Sequence, residues 1–227
     1  MKKVLKSALL ASVPVLSGYL VLGFGFGLLM RSQGFGILLT LAMSLFIYAG
    51  SMQYAAVGLF TGGASLLTVA VTALMVNARH LFYGISMLDK YRGVGAVKPY
   101  LIFSLTDETY SLVCVDDPDI PEENRRHYYT AVSLLNHFYW VAGSVLGAVA
   151  GDLIRFSTEG IEFALTALFL TVFVEQWMSA KDHIPALIGV AVSAISLVIF
   201  GPEHFLVPAM MVIAILLCLY KGGKKDA

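Results

Sequence analysis

The sequence predicts an all-α polytopic membrane protein of seven or eight transmembrane helices, built from two related repeats and containing a broken or re-entrant segment. Its 227 residues are 58% hydrophobic and only 13% charged, whereas about a quarter of the residues in a soluble domain are charged. Apolar segments recur along the chain, and most have the roughly 17–25 residues that a helix needs to cross about 30 Å of hydrocarbon. In addition, one stretch of the chain resembles a second stretch farther along.

That stretch is Val21–Leu41, which aligns without a gap on Val145–Leu165. Apolar matches are common between membrane segments, but here two glycines, an arginine and a third glycine also coincide at one register. Duplicated halves are typical of secondary transporters. We therefore expect one integral membrane transport domain over 1–227, with repeat one at about 8–90, a linker with an acidic segment at about 91–126 and repeat two at about 127–220.

The first apolar segment follows a basic start and resembles a signal peptide. Its apolar character continues to Met30 without an A-x-A site, so we expect a retained first helix. The other segments follow in order along the chain, and a polar loop at 116–127 joins the repeats. The eight apolar segments lie near 8–30, 36–60, 64–89, 98–115, 127–150, 161–180, 184–200 and 203–220.

The segment at 98–115 carries adjacent acids, which are costly at the centre of a bilayer. If it crosses, the chain has eight spans, both termini are cytoplasmic and the repeats are parallel. If it dips in and returns, there are seven spans, the N-terminus is outside and the repeats are inverted. Lysines and arginines then divide nine to five or ten to four, and the positive-inside rule does not separate these alternatives.

The segment at 64–89 also allows two interpretations. In the repeat register, Asn77–His80 falls on Gly201–His204, which has the composition of a turn. A polar stripe from Ser65 to Ser86 nevertheless follows helical spacing. We therefore expect one continuous helix here.

Glycines cluster in two of the apolar segments. Gly143, Gly147 and Gly151 are spaced for close helix packing. Gly23, Gly25 and Gly27 follow Pro14 and allow either close packing or a locally unwound helix. Freed backbone groups in an unwound helix bind substrate in many transporters, so these three glycines are candidate substrate-binding residues.

Ionisable side chains inside apolar segments are the main functional candidates. Arg79 needs a partner or a water-filled cavity, and either it pairs with Asp107 or Glu108 to hold the bundle, or it meets a substrate carboxylate together with Asn77. Acids in such surroundings take up and release protons in many transporters. Asp107, Glu108 and His80 are therefore the candidate proton-coupling residues.

Uncharged polar residues supply weaker candidates. Ser44, Tyr48 and Ser51 share one face of the second segment and are expected to join helices, whereas the neighbouring Gln53 is a candidate substrate ligand. Farther along, one end of the fifth segment contains Asn136, His137, Tyr139 and Trp140. We expect the aromatic residues among them to mark the membrane interface.

Several functional classes are disfavoured. The formal net charge is zero, which gives no electrostatic basis for binding nucleic acid. The isolated Cys114 and Cys218 predict neither a disulfide nor a metal site, and no cofactor is expected. The sequence has neither a G-x-x-x-x-G-K-[ST] loop nor an H-E-x-x-H motif. This favours a secondary transporter, with a non-transporting membrane scaffold or assembly partner as the alternative.

The motifs FIYAGSMQYAAVGLF, VNARHLFYGISML, FSLTDETYSL and GIEFALTALFLTVF resemble the AzlC family, the large subunit of bacterial branched-chain amino-acid exporters. The resemblance covers nearly the whole chain. It implies a multi-pass protein of the bacterial cytoplasmic membrane that exports leucine, isoleucine, valine or methionine-like substrates with a small hydrophobic AzlD-type subunit. The motif positions here are Gln53, Asn77, Arg79, His80, Asp107 and Glu108, and the resemblance assigns no separate role to each.

Overall fold

A computed structural model of the chain describes residues 2–114, 120–153, 170, 173–174, 177–178, 180 and 182–223. These residues form helices and turns, and none of them lies in a strand. The α-helices are α1 Lys2–Ser32, α2 Ile37–Phe46, α3 Gly50–Thr61, α4 Leu66–Val76, α5 Ala78–Ser86, α6 Lys98–Phe103, α7 Asp107–Val113, α8 Arg125–Leu153, α9 Ile184–His204 and α10 Leu206–Gly223.

Helices α1 and α8 form the framework of the first unit and run parallel to each other. Gly23 lies against Gly143, and Gly27 against Gly147, so the contacts advance in the same direction along both helices. At the far end Arg31 of α1 pairs with Asp152 of α8. We call the end of the α1–α8 pair where both helices begin the Val4 end, and the end where both finish the Arg31 end.

Helices α2 and α3 form a hairpin, which we call the first hairpin. Gln53 Nε2 donates to Ser44 Oγ at 3.3 Å near the turn, and the rings of Phe35 and Phe60 meet at 6.3 Å near the open end. Ten residues of α2 rise only about 15 Å, which is half of a bilayer core. The expectation that 36–60 is one span is therefore wrong, because the chain turns back at 47–49.

Helices α4 and α5 continue the chain from the Arg31 end to the Val4 end with a break at Asn77. The two axes differ by 40°, and Asn77 closes α4 with φ −92° and ψ 2°. Our preferred single continuous helix over 64–89 is thus wrong. In α9 a non-helical Gly201, with φ 72°, interrupts the helix at the position that the repeat register pairs with Asn77.

Helices α6 and α7 form a second hairpin, which enters from the Val4 end. Tyr100 of α6 and Thr109 of α7 both bond to α8, to His137 at 3.2 Å and to Asn136 at 3.0 Å. At the open end of this hairpin, Lys90 Nζ donates to the Cys114 carbonyl at 2.7 Å. With six and seven residues, neither helix is long enough to cross a bilayer.

An apolar core closes the Val4 end of the first unit. It is formed where α1, the segment after α5, the second hairpin and the start of α8 meet, so the hairpin is held in place by side-chain packing. Its buried members are Val4, Ala8, Met87, Tyr91, Val94, Leu101, Leu105, Val113, Ile120, Tyr128, Tyr129 and Val132.

The chain divides into two compact units, Met1–Glu162 and Phe163–Ala227, and this division does not coincide with the expected repeat boundary near 127. Within the second unit, α9 and α10 pack on each other, and the Tyr220 hydroxyl donates to Asp182 at 2.8 Å. Most of the second copy of the duplicated stretch, from 154 to 165, lies outside the described residues. The duplication and the repeat bounds therefore stay predictions.

Among the described residues, three helices are long and apolar enough to cross a membrane, or four if the bent α4–α5 pair is one span. The expected count of seven or eight is thus not reached by the part of the chain that can be described. A broken segment, which the sequence predicts, is present at Asn77 between α4 and α5.

Candidate functional site

The tips of the two hairpins meet at mid-height of α1 and α8. At this point the ring of Tyr48, in the turn of the first hairpin, lies 6.2 Å from the ring of Phe103, at the end of α6. Tyr48 has φ 46°, a backbone conformation that is rare outside glycine and is often found at functional sites. The strain is therefore placed where the two hairpins meet.

Arg79, just beyond the break in the α4–α5 span, contacts both hairpins. Its Nη2 donates to Ser51 Oγ of α3 at 3.1 Å, and its Nη1 forms an ion pair with Asp107 of α7. The side chains of Arg79 and Asp107 are 38% and 35% exposed. This is the predicted pairing of Arg79 with an acid, and it lies where the tips of the two hairpins meet.

The ion pair leaves hydrogen-bonding capacity unused. Among the described residues, nothing accepts from Arg79 Nε, and nothing donates to Asp107 Oδ1, although both atoms are buried. Buried polar atoms are normally paired. The cation therefore keeps one donor, and the anion one acceptor, that no described residue uses.

Glu108 points away from this pair. Its Oε2 accepts a 2.6 Å hydrogen bond from the Tyr19 hydroxyl of α1, and Tyr19 also lies 2.7 Å from Thr106 Oγ1. Thr106 caps α7 by accepting from the Thr109 N–H at 3.2 Å. The sequence Thr106–Asp107–Glu108 therefore begins α7 and sends its two carboxylates to different partners.

Gln53, a candidate substrate ligand from its sequence, is completely buried. Its amide is used on both sides, since Oε1 accepts from Trp140 Nε1 at 2.9 Å and Nε2 donates to Ser44. In this arrangement Gln53 ties the first hairpin to α8. A substrate role for Gln53 stays a prediction.

Of the two alternatives for Gly23, Gly25 and Gly27, local unwinding of α1 is wrong, because the helix is continuous from Lys2 to Ser32 despite Pro14. A Cβ on Gly23 would lie 2.9 Å from the Trp140 carbonyl oxygen. A substrate contact with backbone groups freed by unwinding therefore has no structural basis. At Gly23 and Gly27 the structure instead has close packing of α1 on α8 through small residues.

Asn77 and His80 flank Arg79. The His80 ring nitrogen Nδ1 lies 3.2 Å from the Asn77 carbonyl oxygen, and the His80 ring lies edge-on to Tyr83 at 5.8 Å. Both residues are half-buried. They therefore shape the break that carries Arg79. Separately, the described residues include no group of three or more histidine, cysteine or acidic side chains able to hold a metal ion.

Comparison with known proteins gives one consistent result. The family described as AzlC protein matches residues 14–154. The Bacillus subtilis "Branched-chain amino acid transport protein AzlC" is 44% identical over 209 residues, covering 92% of this chain and 82% of that protein. The chain belongs to the AzlC family. A Helicobacter pylori "Uncharacterized membrane protein" is 38% identical over 219 residues, 96% of each chain.

The resemblance found in the sequence motifs is thus confirmed. A more distant relative is the Escherichia coli "Inner membrane protein YgaZ", 27% identical over 180 residues, or 75% of this chain and 72% of that protein. No solved structure matches this chain. The residues matched by the AzlC family, 14–154, include nearly all of α1 to α8 and therefore both hairpins and the Arg79 site.

Several residues that this AzlC protein gathers around the candidate site are not recognisable as such from the sequence. Tyr139 and Trp140 are buried and not interfacial as expected, because Tyr139 meets Ser12 of α1 and Trp140 donates to Gln53 of the first hairpin. His137 joins both hairpins, with Nε2 3.3 Å from the Ser44 carbonyl oxygen and Nδ1 3.2 Å from the Tyr100 hydroxyl. The indication in the sequence is that polar and aromatic residues stand side by side in the middle of a long apolar helix.

Proposed function

We propose that this AzlC protein is a secondary-active exporter of branched-chain amino acids in the bacterial cytoplasmic membrane, and that Arg79 and Asp107 form the substrate site. The half-exposed ion pair at the meeting point of the hairpins carries this proposal. A free amino acid is a zwitterion, so its carboxylate can replace Asp107 on the Arg79 guanidinium and its ammonium can replace Arg79 on Asp107.

The chemistry of Arg79 suits this role. A guanidinium binds a carboxylate through two parallel N–H donors, and Arg79 Nε is a donor without an acceptor among the described residues. Ser51, in the first turn of α3, adds a hydroxyl and the positive end of that helix. Asn77, at the break, is the other polar candidate next to the substrate. The branched side chain would lie against the apolar walls formed by the hairpins.

The direction of the chain follows from its basic residues. In the described part of the first unit, eight of the lysines and arginines lie at the Val4 end and one, Arg31, at the other end, with Arg79 between them. Cytoplasmic segments are rich in lysine and arginine, so the N-terminus faces the cytoplasm in this proposal. The eight are Lys2, Lys3, Lys6, Lys90, Arg92, Lys98, Arg125 and Arg126.

The proposed mechanism is alternating access. The second hairpin separates the site from the cytoplasmic Val4 end, and the first hairpin separates it from the Arg31 end. Arg79 holds both hairpins when the site is empty, so a substrate that takes over its contacts can release one of them. A proton carried by Asp107, Glu108 or His80 drives export. A small AzlD-type subunit accompanying this chain stays part of the proposal on the resemblance alone.

Loading cells with a leucine-containing dipeptide tests this function, because peptidases then raise intracellular leucine. We expect cells that express this chain together with its small subunit to hold less intracellular leucine and to release more than cells without them. Equal leucine levels with and without the protein would contradict export and favour a scaffold role. Loading with alanyl-alanine provides the control for substrate class.

A further inference from the structure

We propose that the adjacent acids of the second hairpin have separate roles: Asp107 belongs to the substrate pair with Arg79, whereas Glu108, held by Tyr19, carries the coupling proton. This inference rests on the proposed transport function. Its starting observation is that the two neighbouring carboxylates at the start of α7 have different partners.

The Tyr83 hydroxyl lies against the Asp107 carboxylate, but the ion-pair partner of Asp107, Arg79, is permanently charged. Arginine does not lose its proton in proteins, so protonating Asp107 would leave the Arg79 guanidinium half-buried without its counter-charge. A substrate ammonium and carboxylate can replace both charges at once. Asp107 is therefore suited to exchange one ion pair for another, and it is poorly suited to carry a proton.

The partner of Glu108 is a neutral hydroxyl that can both donate and accept. Tyr19 donates to the Glu108 carboxylate. When Glu108 is protonated, its own O–H can donate to Tyr19, and the Tyr19 hydroxyl can turn toward Thr106 Oγ1, 2.7 Å away. All three groups keep hydrogen bonds in both states, so taking up a proton leaves no buried group unpaired.

A hydrogen-bonded series of side chains extends from this pair into α8. Thr106 Oγ1 lies 3.1 Å from Thr109 Oγ1, which accepts from Asn136 Nδ2 at 3.0 Å. Tyr19, Thr109 and Asn136 are buried. This series fixes the Tyr19 hydroxyl by contacts that do not involve the Arg79–Asp107 pair, so the proton position is held separately from the substrate position.

The ionisable groups around Glu108 come from each element packed against it. Tyr19 lies on α1, Tyr48 in the turn of the first hairpin, and Arg79 and Tyr83 on α5, while Asp107 precedes it on α7. On α8 the ionisable His137 bonds instead to Ser44 and Tyr100. Among the described residues named here, Arg79 is the cation, and Asp107 already pairs with it.

Inside-out membrane vesicles from cells that express the full chain with its small subunit separate the two roles. Two quantities are measured in the same vesicles: leucine exchange without a pH gradient, and leucine accumulation driven by an acidic interior. We expect Glu108→Gln to keep leucine exchange and to lose at least tenfold in driven accumulation. We expect Asp107→Asn to lose at least tenfold in both. Glu123→Gln, an exposed acid in the loop before α8, is the matched control.

Tyr19→Phe distinguishes a positioning role from a structural one. Removing the hydroxyl that donates to the Glu108 carboxylate should move the midpoint of the pH profile of driven accumulation to higher pH by about one unit. A purely structural role for Tyr19 would lower accumulation equally at every pH, which contradicts the proposal. This variant also keeps the test informative if Glu108→Gln does not reach the membrane.

The outcomes separate this inference from the proposed function. Loss of leucine exchange in Glu108→Gln as complete as in Asp107→Asn, with normal amounts of both proteins in the membrane, overturns the division of roles alone. Absence of leucine exchange in wild-type vesicles overturns the proposed function and this inference together. Driven accumulation that survives in Glu108→Gln shows that the proton is carried elsewhere, with His80→Asn as the next variant.

Discussion

Arg79 and Asp107 form an ion pair that joins the bent span α4–α5 to the tip of the second hairpin. The same guanidinium bonds to Ser51 of the first hairpin. One side chain therefore connects three elements that come from opposite ends of the bundle. Because each contact uses a different nitrogen, the arrangement depends on the shape of the guanidinium and not on its charge alone.

We expect Arg79→Lys to reduce leucine export at least tenfold while the amount of protein in the membrane stays close to wild type. An ammonium keeps the charge but loses the planar set of donors that reaches Ser51 and Asp107 together. A lost hydrogen bond to a charged group costs about 1.5–3 kcal/mol, and about 1.4 kcal/mol corresponds to a factor of ten. The measurement is leucine efflux per unit of membrane-inserted protein.

Arg92→Lys is the matched control, because Arg92 lies at the Val4 end with its side chain 86% exposed. It should leave efflux unchanged. If Arg79→Lys lowers the amount of protein and its efflux in equal proportion, the ion pair is structural and the substrate role is wrong.

The packing of α1 on α8 gives a second prediction. We expect Gly27→Ala to destabilise the protein by about 1–3 kcal/mol, as overpacking does, because the added methyl group would meet the backbone of α8 at Ser144 and Ala148. The loss should appear as a lower midpoint of thermal unfolding in detergent. Gly18→Ala is the control in the same helix, since a Cβ there meets nothing within 4 Å. Similar stabilities of the two variants would show that α1 does not pack closely on α8.

Part of this architecture can be predicted from the sequence, and the reasons differ between elements. Composition predicts the membrane-spanning helices, because burial in lipid requires long apolar segments. The motifs around Arg79 and Asp107 predict their ion pair, because charges within apolar segments need partners. The repeat register also indicates a turn at Asn77, whereas the helical spacing of polar residues favours a continuous helix.

The hairpins could not be predicted from hydropathy. A re-entrant hairpin and a transmembrane helix both need apolar residues over a similar length, so the hydropathy of 36–60 fits either structure. What distinguishes them is the turn at 47–49, where the strained Tyr48 carries no sequence signal of its own. In the proposed orientation, the positive-inside rule does not separate the alternatives for the same reason, since counting 36–60 as a crossing changes the side assigned to every later loop.

Gln53 gives a prediction that separates packing from binding. We expect Gln53→Leu to cost about 1–3 kcal/mol of stability, because Trp140 Nε1 would stay buried without an acceptor. Export per folded molecule should change little. The measurement pairs thermal unfolding in detergent with leucine efflux normalised to folded protein. A loss of efflux tenfold or more at unchanged stability would instead support the sequence-based assignment of Gln53 as a substrate ligand.

The arrangement of the hairpins predicts which loops share a side of the membrane. After Cys114 and Cys218 are replaced by serine, single cysteines at Gln33, Thr61, Ala96 and Glu123 report the side through a membrane-impermeant maleimide. We expect the first two, which flank the first hairpin, to react from outside intact cells. The last two, which flank the second hairpin, should react only after the cells are opened, because the basic Val4 end faces the cytoplasm. Reaction of Gln33 and Thr61 from opposite sides would mean that 36–60 crosses the membrane, and the meeting of hairpin tips around Arg79 would then be wrong.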